Sequence, residues 1–179
     1  MLNLVCAFVF FLLSAALLVW AAVSDWREMH IANRISEALL GVYVLGVLVP
    51  HDIFHGITLM GGLLAGGVVL LLTLFLYAVR AMGGGDTKLA SATALLVGLN
   101  HLGLFLVIMA VTGGLLGVYA LMIRTHPHWL PERLLQPQLP QAWLSQLKNG
   151  AGKVPYGLAI ATGGIVTLAL KWIAPVLVS

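Results

Sequence analysis

The sequence predicts an all-α, polytopic membrane protein with about six transmembrane helices, and three observations carry that prediction. Of 179 residues, 61% are hydrophobic and only 8% are charged, against about 25% charged in an ordinary soluble domain. The mean hydropathy is +1.05. The apolar residues are gathered into long runs, and the basic residues fall in alternate loops between them. A soluble fold of this size has too little polar surface to cover so many apolar side chains. A soluble enzyme, a disordered chain and a nucleic-acid-binding domain are therefore excluded. The pI of 9.3 reflects loop charge beside a membrane, so no nucleic-acid partner is expected.

A helix needs about 20 apolar residues to cross about 30 Å of hydrocarbon. Residues 2–23 form the first such run. They contain no Lys or Arg, so they lack the basic start of a signal peptide and read as a retained helix. Further spans are expected over 32–49, 57–79, 86–99, 102–123 and 154–178. Residues 1–179 read as one integral-membrane domain, with a polar loop over 124–153. Small residues at four-residue spacing, Gly62 with Gly66 and Gly113 with Gly117, predict close helix packing.

Loop charge sets the orientation. Arg27 and Arg34 lie in the first loop, Arg80 and Lys88 in the third, and Arg124, Arg133, Lys148 and Lys153 in the fifth. The ninth basic residue, Lys171, lies near the far end of the last span, where it can snorkel outward. The positive-inside rule then places loops one, three and five in the cytoplasm and both termini outside. The fifth loop contains Pro127, Pro131, Pro137 and Pro140, which exclude a long helix in its first half. Residues 141–148, with Trp143, Leu144 and Leu147 on one side, read either as an amphipathic segment on the membrane surface or as a plain loop.

The chain has six acidic residues, and two of them, Asp25 and Asp86, lie at the same end of membrane helices. An ionisable residue at membrane depth marks function by default. Asp86 closes the run Gly83-Gly84-Gly85-Asp86, and three glycines disfavour helix. The fourth span is short, so Asp86 is either held inside the membrane boundary or simply caps a helix. Asp25 on the same side favours chemistry. Two adjacent carboxyls cannot both ionise easily, so one serves as acid while the other activates water, as in aspartic proteases. Cys6, the only cysteine, lies deep in the first span and excludes a disulfide or a Cys-based zinc site. His51 and His55, four apart in an outer loop, are the one weak candidate for a metal, so the site is read as metal-free and cofactor-free.

These motifs resemble those of the aspartic prepilin peptidases, the type IV prepilin leader peptidases. Asp25-x-Arg27 with Ile31-x-Asn33 resembles their first-loop motif. Gly83-Gly84-Gly85-Asp86-Thr87-Lys88 is similar to their GxGDxK motif, and Pro155-Tyr156-Gly157 to their Pro-aromatic-Gly motif. The resemblance implies a GxGD-type aspartic endopeptidase of the inner membrane. It would use Asp25 and Asp86 to cleave leader peptides from type IV prepilins or pseudopilins at the cytoplasmic face. Ala32 stands where family members often carry Pro. One cysteine and 179 residues leave no room for the methyltransferase half of the larger members. The chain looks most like the short, peptidase-only members serving Tad/Flp-type pili, and the archaeal preflagellin peptidases are also similar.

By the same resemblance Arg27, Asn33, Glu37, Gly83, Gly85, Lys88, Pro155, Tyr156 and Gly157 are candidate support or substrate-binding residues. Arg27 reads rather as an inside-positive anchor than as catalytic support. Lys88, two residues after Asp86, points away from it on a helix and is expected at headgroups or backbone. Asn33 and Glu37 share a face, and Glu28 or Glu37 would attract a basic leader. The expected partners are a precursor peptide and the lipid bilayer; no signal of oligomeric state is present. Two other readings compete. A proton-coupled transporter subunit would want an acid at mid-membrane or outside. A presenilin-type protease would pair GxGD with Tyr-Asp, whereas Asp25 follows Ser24.

Overall fold

Six helices form the bundle in the computed structural model, which describes residues 2–50, 56–126, 143 and 154–175. They are α1 (Leu2–Glu28), α2 (Asn33–Leu48), α3 (Leu59–Ala78), α4 (Gly84–Val97), α5 (Leu102–Thr125) and α6 (Tyr156–Leu168). A 3₁₀ turn, Leu99–His101, joins α4 to α5, and a π-helical turn, Ala169–Ile173, extends α6. Among the described residues all regular structure is helical, as expected for an all-α membrane protein. Among the described residues four stretches are long and apolar enough to cross a membrane: Leu2–Glu28, Leu59–Ala78, Leu99–Thr125 and Tyr156–Ile173. The other two helices, α2 and α4, are shorter, at 16 and 14 residues.

The short helix α4 is the centre. It packs against α3, α2, α6 and α5, while α1 packs against α2 and α6. Its sequence suits that place: Ala90, Ala92, Thr93 and Ala94 are buried, and small side chains let neighbours approach from every direction. The expected packing at Gly62 and Gly66 is present. A Cβ on Gly62 would sit 2.7 Å from the Leu95 carbonyl oxygen, and one on Gly66 2.6 Å from Leu95 Cδ2. The expectation fails at Gly117, which faces open space. Gly113 faces Ala159 of α6, where a Cβ would find ordinary contact at 3.6 Å, and the tighter approach of α5 to α6 is at Gly163, where a Cβ would lie 3.1 Å from the Phe105 carbonyl oxygen.

Two ends differ from the sequence reading. The first helix runs to Glu28, so Asp25 lies within α1 rather than in the loop beyond it. Met29, with φ of 51°, turns the chain out of the helix. Lys171 does not snorkel outward. Its Nζ donates to the carbonyls of Leu96 and Val97, each at 2.7 Å. Those carbonyls have no partner within α4 because the helix ends there, and an ammonium suits that end of the helix dipole. Lys171 thus lets α4 stop short inside the bundle.

Residues 51–55, with His51 and His55, lie outside the described residues. So does the segment 141–148 apart from Trp143. That tryptophan is fully buried, not laid on a surface: it packs on Ala120 and Ile123 and stacks edge-on against Trp26 at 4.9 Å.

Candidate active site

The C-termini of α1, α3 and α5 and the N-termini of α2, α4 and α6 share one end of the bundle, and that end carries both aspartates. Asp25, 5% exposed, sits one turn before the end of α1. Its Oδ2 accepts the N–H of Gly157 at 2.7 Å. Pro155 is the N-cap of α6 with φ of −74°, Tyr156 is its first residue and Gly157 its second. The first amides of a helix lack intrahelical acceptors, and a carboxylate is favoured at that end of the dipole. The Pro-Tyr-Gly motif therefore builds a seat for Asp25. Glycine is required there, because a Cβ at 157 would fall 2.8 Å from Asp25 Oδ2 and 2.9 Å from its Cβ.

Asp86 stands third in α4, with Gly83 as N-cap, so the helix begins two residues before it. The sequence reading had the glycines outside the helix. Their helical penalty is offset because Asp86 Oδ2 reaches back to accept the Gly83 N–H at 3.1 Å, as the acidic partner of a capping box does. Thr87 adds a second tie, donating to Gly83 O at 3.1 Å and to Thr73 O of α3 at 3.4 Å. Asp86 Oδ1 is buried and has no hydrogen-bond partner among the described residues. Buried polar oxygens rarely stay unpaired, so this atom is where a reacting group is best received.

Ile31 lies between the start of α4, which carries Asp86, and the start of α6, which holds Asp25. It is 5% exposed. A Cβ on Gly85 would lie 3.3 Å from Ile31 Cβ, and one on Gly157 3.0 Å from Ile31 Cδ1. The Ile of the Ile31-x-Asn33 motif is thus wedged between the starts of α4 and α6, and Gly85 is glycine to admit it. Lys88 donates to Asn33 Oδ1 at 3.1 Å, tying α4 to α2. Ser24 shapes the α1–α2 turn by donating to His30 O at 2.7 Å.

Two cavities, about 600 and 760 Å³, meet at the aspartates and share Asp25, Met29, Tyr77, Gly83, Gly84 and Asp86. The smaller cavity adds Asn33 and Lys88; the larger adds Arg80, Val154 and Tyr156. Together they form one trough with the carboxyl pair at its middle. Of the candidate residues, Asp25, Asp86, Asn33, Gly83, Gly85, Lys88 and Tyr156 line it, and Pro155 and Gly157 support it from behind. Arg27 and Glu37 are exposed and lie outside it. Met29, Tyr77 and Thr87 belong to the site but were not singled out in the sequence. Tyr77 had one available signal, its place at the aspartate end of α3. The left-handed Met29 had none.

Among the described residues no three His, Cys, Asp or Glu side chains cluster as a metal site. Neither a curated protein nor a solved structure matches the chain. The profile of the type IV leader peptidase family matches residues 6–118, which take in both aspartates and stop before α6. With more than half of its length matched, the chain belongs to the type IV leader peptidase family.

Proposed function

We propose that this protein is a membrane-embedded aspartic endopeptidase. It removes the leader from type IV prepilins or pseudopilins, of the Tad/Flp type, at the cytoplasmic face of the inner membrane, with no methyltransferase activity. The observation that carries the reading is that Asp25 of α1 and Asp86 of α4, 61 residues apart in sequence, line one trough. Family membership makes the reaction a peptide hydrolysis. Arg27, Arg34, Arg80, Lys88 and Arg124 all belong to the aspartate end, which the positive-inside rule assigns to the cytoplasm.

The pair shares one proton, because two carboxylates side by side resist double ionisation. The ionised carboxyl takes a proton from water, whose oxygen adds to the scissile carbonyl carbon. The protonated carboxyl donates to the carbonyl oxygen. Collapse of the tetrahedral intermediate breaks the C–N bond: one hydroxyl returns its proton to the second carboxylate as the carbonyl reforms, and the proton held by the first carboxyl passes to the leaving amine. Asp86 Oδ1, buried and without a hydrogen-bond partner among the described residues, is the acceptor we assign to the reacting groups. Each aspartate is positioned by a backbone N–H on its Oδ2, Asp25 by that of Gly157 and Asp86 by that of Gly83. The transporter reading gains nothing from the fold: the described acids are Asp25, Glu28, Glu37 and Asp86, all at one end.

The test is incubation of the reconstituted enzyme with a prepilin precursor, reading the shift in product size. Asp25→Asn and Asp86→Asn should each abolish cleavage while the protein remains inserted. The double variant should be hardly worse than either single, as for residues acting as one unit. Near-normal turnover in either single variant would overturn the mechanism.

A further inference from the structure

The two helices that set the aspartates are tied to each other at the opposite end of the bundle. Asp86 stands third in α4, and Asp25 is seated on the N–H of Gly157 at the start of α6. The height of one carboxyl against the other therefore depends on how α4 is placed along α6. Midway the contact is apolar: a Cβ on Gly164 would fall 2.7 Å from Thr93 Cγ2, and Thr93 Oγ1 donates within its own helix, to Leu89 O. Such a contact brings backbones close but adds no polar tie along the axis. Among the described residues, the side-chain hydrogen bonds from α6 and its π-helical extension to α4 are the two that Lys171 donates, to Leu96 O and Val97 O. Leu96 lies ten residues after Asp86 in α4, about 15 Å along the axis. Lys171 thus grips the far end of the helix that carries Asp86. The local backbone is fitted to it. Lys171 lies in the π-helical turn, a form that recurs at functional sites. Gly98 ends α4 with φ of 74°, and a Cβ there would sit 3.4 Å from Lys171 Nζ, so glycine both turns the chain and leaves the ammonium its room. Trp172 donates from Nε1 to Gly56 O at 3.1 Å, which anchors the same turn to the connection before α3.

We propose that Lys171 is a positioning residue for the aspartate pair: it clamps the end of α4 to α6 and so fixes the axial register that sets Asp86 against Asp25. The proposal rests on the aspartic-peptidase reading and extends it to a residue at the other end of the bundle. The physics is that of an unfinished helix end. The last carbonyls of α4 have no partner within the helix, and Leu96 and Val97 are fully buried. Without the ammonium these oxygens stay unpaired away from water, which costs about as much as lost hydrogen bonds. The helix relieves that cost by sliding toward water. A helix moves as a rigid element, so displacement at Leu96 reaches Asp86. The polar ties at the aspartate end do not hold this register. Thr87 bonds Thr73 of α3 and Lys88 bonds Asn33 of α2, whereas Asp25 is seated on α6. Ile31 spaces the starts of α4 and α6, but as an apolar wedge it bonds neither.

The test uses the full-length enzyme reconstituted with a prepilin precursor, well below its unfolding temperature, and reads kcat, KM and Tm for each variant. Lys171→Met removes the donors while keeping a long side chain. Its kcat should fall about tenfold with KM within about twofold of wild type, because alignment of the carboxyls governs the chemical step more than binding. Lys171→Arg keeps a charged donor and should recover most of kcat. Lys171→Gln keeps a neutral donor and should fall between the two; it carries the same comparison if the Met variant does not insert. Trp172→Phe is the matched structural control. It loses the bond to Gly56 at the same end of the bundle, so it should lower Tm and leave kcat near the wild-type value. Lys171 variants that lower Tm with kcat unmoved would overturn the proposal. So would a loss that sits in KM, or an equal fall of kcat in Trp172→Phe. Failure of the underlying reading looks different: the wild type would not cut the precursor, or Asp25→Asn would cut it.

Discussion

The N–H of Gly157 donates to Oδ2 of Asp25 across 2.7 Å, joining the last helix to the first at a point 132 residues apart in the chain. This bond does three things at once. It satisfies an orphan amide at the start of α6, holds one carboxyl oxygen in place and brings the helix start against the end of α1. The motif residue is glycine because the carboxylate occupies the space of a side chain.

Gly157→Ala should therefore be far more damaging than its size suggests. The added methyl forces Asp25 and α6 apart, and a shift of about 1 Å at a catalytic group costs about a hundredfold in rate. The fold should survive with a modestly lowered Tm. Cleavage rate and thermal unfolding, measured together, check this; wild-type turnover in the alanine variant would break the assigned role of Gly157.

Activity should pass through a maximum with pH. Below it both carboxyls are protonated and no base remains to take a proton from water. Above it both are ionised and no acid remains for the carbonyl oxygen. The two limbs belong to the pair and not to either aspartate. Initial rates across a pH series give the profile. A rate that climbs steadily through pH 10 would indicate a lone base instead.

Arg27 and Lys88 should separate from each other. Arg27 is exposed and outside the trough, so Arg27→Ala should cleave within about twofold of wild type, as surface changes usually do. Lys88 is also exposed, but it bonds Asn33 across the cavity. Lys88→Ala should lower the rate moderately, and Asn33→Ala should add little to it because both remove the same tie. Independent, multiplying losses in the double variant would count against that contact.

Trp143→Ala should unsettle the site from outside it. The indole is fully buried and packs on Trp26, the neighbour of Asp25, and on Ala120 and Ile123. Removing a buried Trp costs about 3 kcal/mol or more. Unfolding should occur at lower temperature, and Trp143→Phe should restore much of the loss. A Tm unmoved by Trp143→Ala would mean that the packing does not tie the loop to α1.

Chelators and thiol reagents should leave cleavage intact. Cys6 is 19 residues before Asp25 on the same helix, about 28 Å along its axis. His51 and His55, the pair read as a weak metal candidate, lie between α2 and α3 in the sequence, in the loop assigned to the opposite end. Cleavage assays with EDTA and with N-ethylmaleimide check both. Activity lost in chelator and restored by zinc would overturn the aspartic pair and direct attention to residues 51–55.

What the sequence determined by itself was the medium and the class, and it singled out two aspartates. Apolar runs broken by charged loops specify membrane helices because backbone groups in hydrocarbon must be satisfied within the segment. With six acids in the whole chain, Asp25 and Asp86 were conspicuous, since charge at membrane depth is costly and seldom idle. Helix edges were less legible. The glycines before Asp86 read as irregular backbone, yet Gly84 and Gly85 are helical, because a carboxylate three residues on supplies the cap. Lys171 read as a snorkelling cation, but an unfinished helix end next to it offers two carbonyls. Only the tertiary structure decided these partners, and also the wedge of Ile31 and the burial of Trp143. Each depends on which residues of distant helices face one another. Periodicity along a chain reports the face of one helix, whereas the identity of its neighbour is set by how all six pack.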